Sequence, residues 1–551
     1  MNLKAFIRVT ATKITASFFR LARWLRCDWL YWLRAEDPVY LLWLLKHKRR
    51  FGTAQAPWER QPVFSILTPA YNTDPVWLAE LFDSLQQQTF GDWELLLIDD
   101  ASTDPASGTA LDQLTANDSR IKVLRNTSNL GIATSTNIGA EHAQGDWLVL
   151  LDHDDLLYPD ALATLYAGTH KHPQAVVLYA DEDRLSPRGL RYRYHFKPAF
   201  SPSLLEMCNY ILHPMCLRRS TWQAVGGMRS DFDGSQDYDL LLRLWDGGAE
   251  IRHIPGILYT WRESSESMAG SAFKPHIFSA GKRALKEHLV RRGDSFTCID
   301  DNPETELGDY RIHWQIPTTS RVLVISDEPP TWCPAWQLTP LMLDRESWLH
   351  SLAAITANYD AVVFLDQGIK AEQSSVEELI GWCLRADVGV VGGRILDQNN
   401  CILRAGLSLT PNKTIRADFY TKPLANYPSA RRLRDCLAVD GAIAVAGSKW
   451  AVLRDALPAN MGLFNGSLAL CLAARAKGWR VVYTPFASFR ADSLQIPYGS
   501  ISVQQLLETY AINQDPFTNP YLASKCRNDF RLPIFSCFPN LTLMIGRSAN
   551  F

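Results

Sequence analysis

The sequence predicts an α/β protein built on a largely parallel sheet, and three observations lead there. Apolar, β-rich runs at residues 63–72 (VFSILTPAYN), 93–104 (WELLLIDDASTD) and 147–160 (WLVLLDHDDLLYPD) read as buried strands, and each ends abruptly in polar residues. Helical periodicity fills the gap between the first two, in LAELFDSLQQQ (78–88), giving the β-α-β alternation that implies parallel strands. The rhythm of the third run returns late in the chain in DAVVFLDQGI (360–369), so the pattern is used twice. In open α/β sheets the binding crevice lies at the carboxyl ends of the strands. Here those ends carry Tyr71 and Asn72, then Asp99 and Asp100, then Asp152, Asp154 and Asp155.

At 551 residues the chain exceeds what one core holds, and two to four domains are expected. Its 47% hydrophobic and 21% charged residues are those of an ordinary globular protein, and a net charge of -2 gives no global field for nucleic acid. Eleven cysteines are scattered without CxxC pairs or a clustered histidine partner, which fits a reducing compartment and excludes an obvious zinc site. No apolar run is long enough to span a bilayer and no signal-peptide pattern opens the chain, so a cytosolic location is expected.

Residues 1–50 stand apart, with 11 Lys plus Arg against 3 Asp plus Glu. Phe18, Phe19, Trp24, Trp29, Trp32 and Leu33 recur among the charges at helical spacings, with a break expected at Pro38. Such basic, aromatic helices suit the headgroup region of an anionic membrane; the alternative is packing on the protein's own surface.

A buried strand that delivers carboxylates at its end builds a site for a hard cation or a charged ligand, because unpaired acids cannot remain in an apolar sheet. An acidic turn that merely caps a helix at Asp155 or Asp160 is the plainer alternative. The order PAYN, IDDASTD and NLGIATSTNIGAEHAQGDWLVLLDHDD, over about 90 residues, resembles the nucleotide-binding half of glycosyltransferase family 2, whose catalytic domain has the GT-A fold. The resemblance implies that Pro69, Ala70, Tyr71 and Asp100 hold the base and ribose of a nucleotide. It also implies Asp154 as the metal ligand and Asp152 as a contact to ribose or to a metal-bound water. Oxygen-only ligands suit Mg2+ or Mn2+. Asn137 and Gly139 are expected to serve packing near the nucleotide.

Acceptor-side groups in this family often follow the metal site. Asp181, Glu182, Asp183, Lys197 and Asn209 are candidates there, with surface salt bridges as the alternative for Asp183 and Lys197. In GGMRSDFDGSQDYDLLLRLWDGG (226–248) the family shows Glu-Asp, its Asp being the general base. Asp237 matches that base and Gln236 stands in place of the Glu. HIPGILYTWRESSESMAG (253–270) resembles the family's closing strand and loop, which implies Tyr259, Trp261, Arg262 and Ser267 over the diphosphate, Arg262 as a cation for its oxygens. Related sequences often have His where Thr260 stands. Gln236, Asp181, Lys197 and Trp261 are thus candidates for acceptor contact or support.

The second copy is visible after the polar stretch 301–309. SKWAVL (448–453) matches STWQAV (220–225), and FNGSLALCLAARAKGWRVVYTP (464–485) matches FDGSQDYDLLLRLWDGGAEIRHIP (232–255). Asp366 persists, but Gly368 replaces the metal Asp, Ser467 the base and Ala473 replaces Arg243. Residues 321–360 look too short for counterparts of PAYN and IDDASTD. The expected organisation is a basic helical segment (1–60), a GT-A domain (61–298), a degenerate GT-A-like α/β domain (310–500) for acceptor binding, packing or a homodimer contact, and a C-terminal strap (501–551). The tail QDPFTNPYLASKCRNDFRLP resembles the ending of two-module transferases of bacterial O-antigen or capsule assembly.

These features imply a metal-dependent, inverting glycosyltransferase that moves a sugar from a nucleotide-sugar donor to a glycan or lipid-linked acceptor at the inner face of a bacterial membrane. Two rivals remain at this point: a non-catalytic glycan- or nucleotide-binding scaffold, and a nucleotidyltransferase. The intact acids speak against the first, and the lack of a Gly-rich basic loop after the first strand against the second.

Overall fold

The computed structural model describes residues 35–47, 62–263, 275–305, 308–342, 358–456, 463–494 and 501–521. The expectations for residues 1–34 and 48–50, for Ser267 and for the tail beyond Tyr521 lie outside the described residues. The chain divides into two compact units, one of residues 1–197, 211–288 and 519–551, the other of 198–210 and 289–518.

In the first unit, β1 (Phe64–Ala70), β2 (Trp93–Asp99), β3 (Ile121–Arg125) and β4 (Trp147–Leu150) run parallel in the order β3-β2-β1-β4. The other strands are β5 (Leu156–Leu157), β6 (Val177–Leu185), β7 (Arg191–His195), β8 (Met215–Arg218) and β9 (Ile251–Arg262). They extend the sheet as β4-β8-β6-β9-β5, with β7 on β6 and β8 antiparallel to both its neighbours. The near-continuous burial of β1 and β2 is that of strands covered on both faces.

Ahead of them stands α1 (Pro38–His47), and around them α2 (Pro75–Gln86), α3 (Pro105–Asn117), α4 (Ile132–His142), α5 (Ala161–Lys171), α6 (Arg219–Val225), α7 (Gln236–Asp246) and α8 (Pro275–Arg292). Asp74 caps α2 and Asp104 caps α3, each followed by a proline that costs no hydrogen bond in the first turn. Leu78, Leu81 and Leu85 then bury one face of α2, each contributing about 1.5–3 kcal/mol. α4 packs on β2 closely enough that a Cβ on Gly139 would stand 2.6 Å from Ile98 Cδ1, so Gly139 does serve close packing.

Pro38, expected to break a helix, opens α1 instead, again because its missing N–H lies in the first turn. Tyr40, Trp43 and Leu44 are buried in a cluster with Tyr158, Phe196 and Ile257, so this part of the basic segment packs on the protein itself.

The second unit opens with the hairpin β10 (Phe296–Asp301) and β11 (Tyr310–Trp314). Its main sheet contains β12 (Arg321–Ser326), β13 (Gln337–Met342), β14 (Ala361–Leu365), β15 (Val388–Leu396), β16 (Ala442–Ala446) and β17 (Arg480–Arg490). Their order, β13-β12-β14-β16-β15-β17, repeats β2-β1-β4-β8-β6-β9 strand for strand, with the same sequence of parallel and antiparallel pairings. The helices α9 (Gln373–Cys383), α10 (Gly447–Leu453) and α11 (Leu463–Ala476) occupy the chain positions of α5, α6 and α7. Residues 321–360 were expected to be too short for a counterpart of the second motif. The structure corrects this: β13 takes the place of β2, a strand retained without its acids. Among the described residues no helix is long and apolar enough to cross a membrane.

Candidate active site

The register of the parallel strands brings the three motifs to one edge. Ala70 pairs with Asp99 across β1 and β2, and Leu67 with Leu150 across β1 and β4, so Tyr71, Asp100 and the 151–155 turn leave the sheet together. The first two loops are tied to each other. Asn72 Oδ1 accepts from the backbone N–H groups of Thr103 at 2.8 Å and Asp104 at 2.9 Å, and Asp100 N donates to Ala70 O at 2.8 Å. Pro69 and Ala70 are the last residues of β1, while Tyr71 stands 43% exposed at the rim.

Asp100 was expected on a nucleotide. Its carboxylate instead accepts from Asn126 Nδ2 and Leu130 N, both at 2.8 Å, and from Gly131 N at 2.9 Å. It therefore fixes the turn that starts α4. Gly131 sits there at φ +85°, where a Cβ would stand 2.5 Å from Asp233 Oδ2. Asp233 accepts from Ala133 N at 3.3 Å and so joins the loop before α7 to the same turn. Asn137 completes the link, exchanging two hydrogen bonds with the Met228 backbone.

The acidic turn after β4 divides its three carboxylates between two environments. Asp155 is fully buried, accepting from Tyr259 Oη at 2.5 Å and from Arg262 N at 2.7 Å. Burial, then the neighbouring Asp154 and Asp152, push its carboxyl well up. It is an anchor and caps no helix. Asp152 is part-exposed, with His213 Nε2 3.4 Å from its Oδ2. Burial raises the Asp154 carboxyl; His153 pulls it down and Asp152 pushes it up. Two crowded carboxylates in a partly dry turn are a donor set that a hard divalent cation would neutralise, so Asp152 and Asp154 fit Mg2+ or Mn2+.

Arg262 differs from expectation. Its Nη2 donates to Glu80 at 2.7 Å and its Nε to the Asp154 carbonyl at 2.6 Å, so the guanidinium clamps the acidic turn instead of standing free for phosphate. Tyr259, likewise expected over the diphosphate, is fully buried beneath Asp155. Trp261 is part-exposed, its ring 6.5 Å edge-on from His213 and 4.9 Å below the Arg184 guanidinium.

Asp181 and Lys197 are interior supports, both fully buried and so removed from acceptor contact. Asp181 accepts from His253 at 2.7 Å, Gly256 N at 2.9 Å and Asn519 at 3.0 Å. Lys197 Nζ binds Glu182 at 3.0 Å and the carbonyls of Ile211 and His213 at 2.5 Å each. Glu182 and Asp183 are equally buried.

Asp237 lies in the first turn of α7, half-buried. Its Oδ1 accepts from Tyr238 N at 2.8 Å. Gln236 is spent on the loop, accepting from Gly234 N at 2.7 Å. Two turns of the helix are braced by Asp239, whose carboxylate meets Arg229 and Arg243.

Asp155 stood in the acidic run that the sequence singled out, with helix capping as its plainer role; His213 and Asp239 were not singled out, and both act through contacts with no local pattern.

In the second unit Asp327 accepts from Gly368 N at 2.9 Å, so a hydrogen-bonded turn stands where the first unit has Asp154. Ser467 is buried.

Residues 65–229 match the family model described as glycosyl transferase family 2, a span that ends before Asp237. The protein y4gI of Sinorhizobium fredii is 39% identical over 272 residues, which cover 48% of this chain and 29% of that protein. The O-antigen biosynthesis protein RfbC of Myxococcus xanthus is 29% identical over 561 residues, covering 90% of this chain and 42% of its own. The chain thus spans less than half the length of either relative. A crystal structure of S. aureus TarS 1-349 in complex with UDP-GlcNAc is similar at 19% identity and a TM-score of 0.35, over 41% of this chain and 66% of that one, a likeness too slight to build on.

Proposed function

We propose, from the premise that residues 65–229 form a glycosyltransferase family 2 domain, that the first unit transfers a sugar from a nucleotide-sugar donor to a glycan or lipid-linked acceptor in the synthesis of a cell-surface polysaccharide. The observation that carries the reading is the pair Asp152 and Asp154, raised from the sheet edge on a turn anchored by Asp155, Tyr259 and Arg262. The name of the RfbC relative supports the polysaccharide context.

Asp237 takes the proton of an acceptor hydroxyl as that oxygen bonds to the anomeric carbon. The bond from that carbon to the diphosphate breaks on the opposite face, its electron pair leaving with the diphosphate, so configuration inverts. Asp154, with Asp152, would hold Mg2+ or Mn2+, which supplies Lewis-acid stabilisation of the departing charge. Arg262 keeps the acidic turn in place, and Tyr71 offers a ring at the nucleotide end. The second unit, with Gly368 and Ser467 at the matching positions, is a non-catalytic partner of the first. The basic aromatic segment 1–34 would bring the enzyme to the inner face of an anionic membrane.

Asp237→Asn tests the assignment. Transfer should fall by about 10²- to 10⁴-fold with nucleotide affinity unchanged, whereas Asp154→Ala should abolish Mn2+-dependent nucleotide affinity in calorimetry. Turnover retained in Asp237→Asn removes the base from this position.

A further inference from the structure

Away from the acidic crevice, the hairpin β10–β11 brings together three metal-ligating side chains from its two strands. Antiparallel pairing sets Cys298 opposite His313 and Asp300 opposite Arg311. Side chains alternate across a strand and cross-strand partners share a face, so Cys298, Asp300 and His313 stand on one side. Ile312 is buried on the other. Their ligand atoms all lie within 4.8 Å of one another. His313 Nε2 is 3.0 Å from Asp300 Oδ2, and Cys298 Sγ is 3.8 Å from the same oxygen.

Tetrahedral Zn2+, with bonds of about 2.0 Å to nitrogen and oxygen and about 2.3 Å to sulfur, sets N and O about 3.3 Å apart and S and O about 3.5 Å apart. The observed spacings differ from these by only about 0.3 Å each. The neighbouring cation does not compete. The Arg311 guanidinium lies 3.6 Å from Glu378 and 4.7 Å over Phe486, which leaves Asp300 to His313.

We propose that Cys298, Asp300 and His313 form a site for a borderline transition metal, Zn2+ foremost, with water or an external donor in the fourth position. A thiolate, an imidazole and a carboxylate select Zn2+ over the Mg2+ or Mn2+ that suit the oxygen-only crevice. The sequence excluded only an obvious zinc site; hairpin register supplies the histidine partner that spacing along the chain did not. Cys298 is exposed, so the ion has access. On entry the Cys298 S–H bond gives way to a sulfur–metal bond, the proton leaves to solvent, and no electron is transferred. The ion then cross-links two strands that form a sheet of their own, an arrangement of marginal intrinsic stability.

Anaerobic titration of the reduced, full-length protein with Co2+, as a spectroscopic substitute for Zn2+, tests the site. A thiolate-to-Co2+ charge-transfer band should saturate at one equivalent, be bleached by Zn2+ but not by Mg2+, and vanish in Cys298→Ser. His313→Ala should weaken binding by about tenfold or more, while Cys333→Ser, at another exposed cysteine, should leave the band unchanged. Matching circular dichroism of Cys298→Ser keeps a folding defect from imitating the loss. A band that survives Cys298→Ser, or no band in the wild-type chain, overturns the proposal; Co2+ in the crevice has no thiolate and gives none.

Discussion

Asp152, Asp154 and Asp155 are one residue type on one turn, and burial together with hydrogen bonds from Tyr259 and Arg262 separates the anchor from the part-exposed pair. Glu182 shows the opposite balance. Burial would raise its carboxyl, but Lys197 and then His195 outweigh it and hold the group at about 2 against an ordinary 4.5. A depressed carboxylate adds stability above its ordinary value, and that contribution is lost as pH falls from 4.5 toward about 2. It amounts to about 3 kcal/mol. Glu182→Gln should therefore flatten the acid limb in urea denaturation between those values. At neutral pH it should cost about 3–5 kcal/mol, because Lys197 is left buried without its counter-charge. The acids were legible because they interrupt apolar runs. The clamp from Arg262 to Glu80, the seat of Asp155 on Tyr259 and the approach of His213 to Asp152 were not, since contacts between distant segments leave no periodicity.

Among the elements, α1 connects the basic segment to the first unit. Trp43 is 2% exposed, edge-on to Phe196 at 5.2 Å and to Tyr521 at 5.3 Å, while Tyr40 Oη donates to Asp183 at 2.5 Å. Trp43→Ala should destabilise the first unit by about 3–5 kcal/mol, measured as a lower midpoint of its thermal unfolding. A membrane role confined to the preceding residues would leave such a variant still bound to vesicles. In the sequence the aromatic spacing was read only ahead of Pro38, which was expected as a break, and it could name no partner, because a Trp facing lipid and a Trp facing Phe196 follow the same period. Strand β13 was missed for a related reason: without terminal acids, a run holding Pro340 offered little to read.

At the scale of the molecule, one strand order built twice shows what the fold demands without chemistry. β14 keeps its apolar run and Asp366, yet the turn beyond closes on Gly368 and Asp327. This duplication was legible from matched spacings, as was the parallel edge of the first sheet. If the basic segment carries the membrane contact, removing residues 1–34 should abolish co-sedimentation with anionic vesicles without altering the fold of either unit; unchanged co-sedimentation would refute that role. The first unit is also finished by a segment that follows the whole of the second. Asn519 Nδ2 donates to both oxygens of Asp181 at 3.0 Å and to Lys197 O at 2.9 Å, and Tyr521 packs beside Trp43. Asp181 and Asn519 are separated by 338 positions. At roughly 5–20 residues per second of synthesis, Asp181 waits roughly 17–68 s on the ribosome for its last donor. During that interval the nascent first unit holds a buried acid short of a partner, and a ribosome that stops early releases a first unit that was never closed.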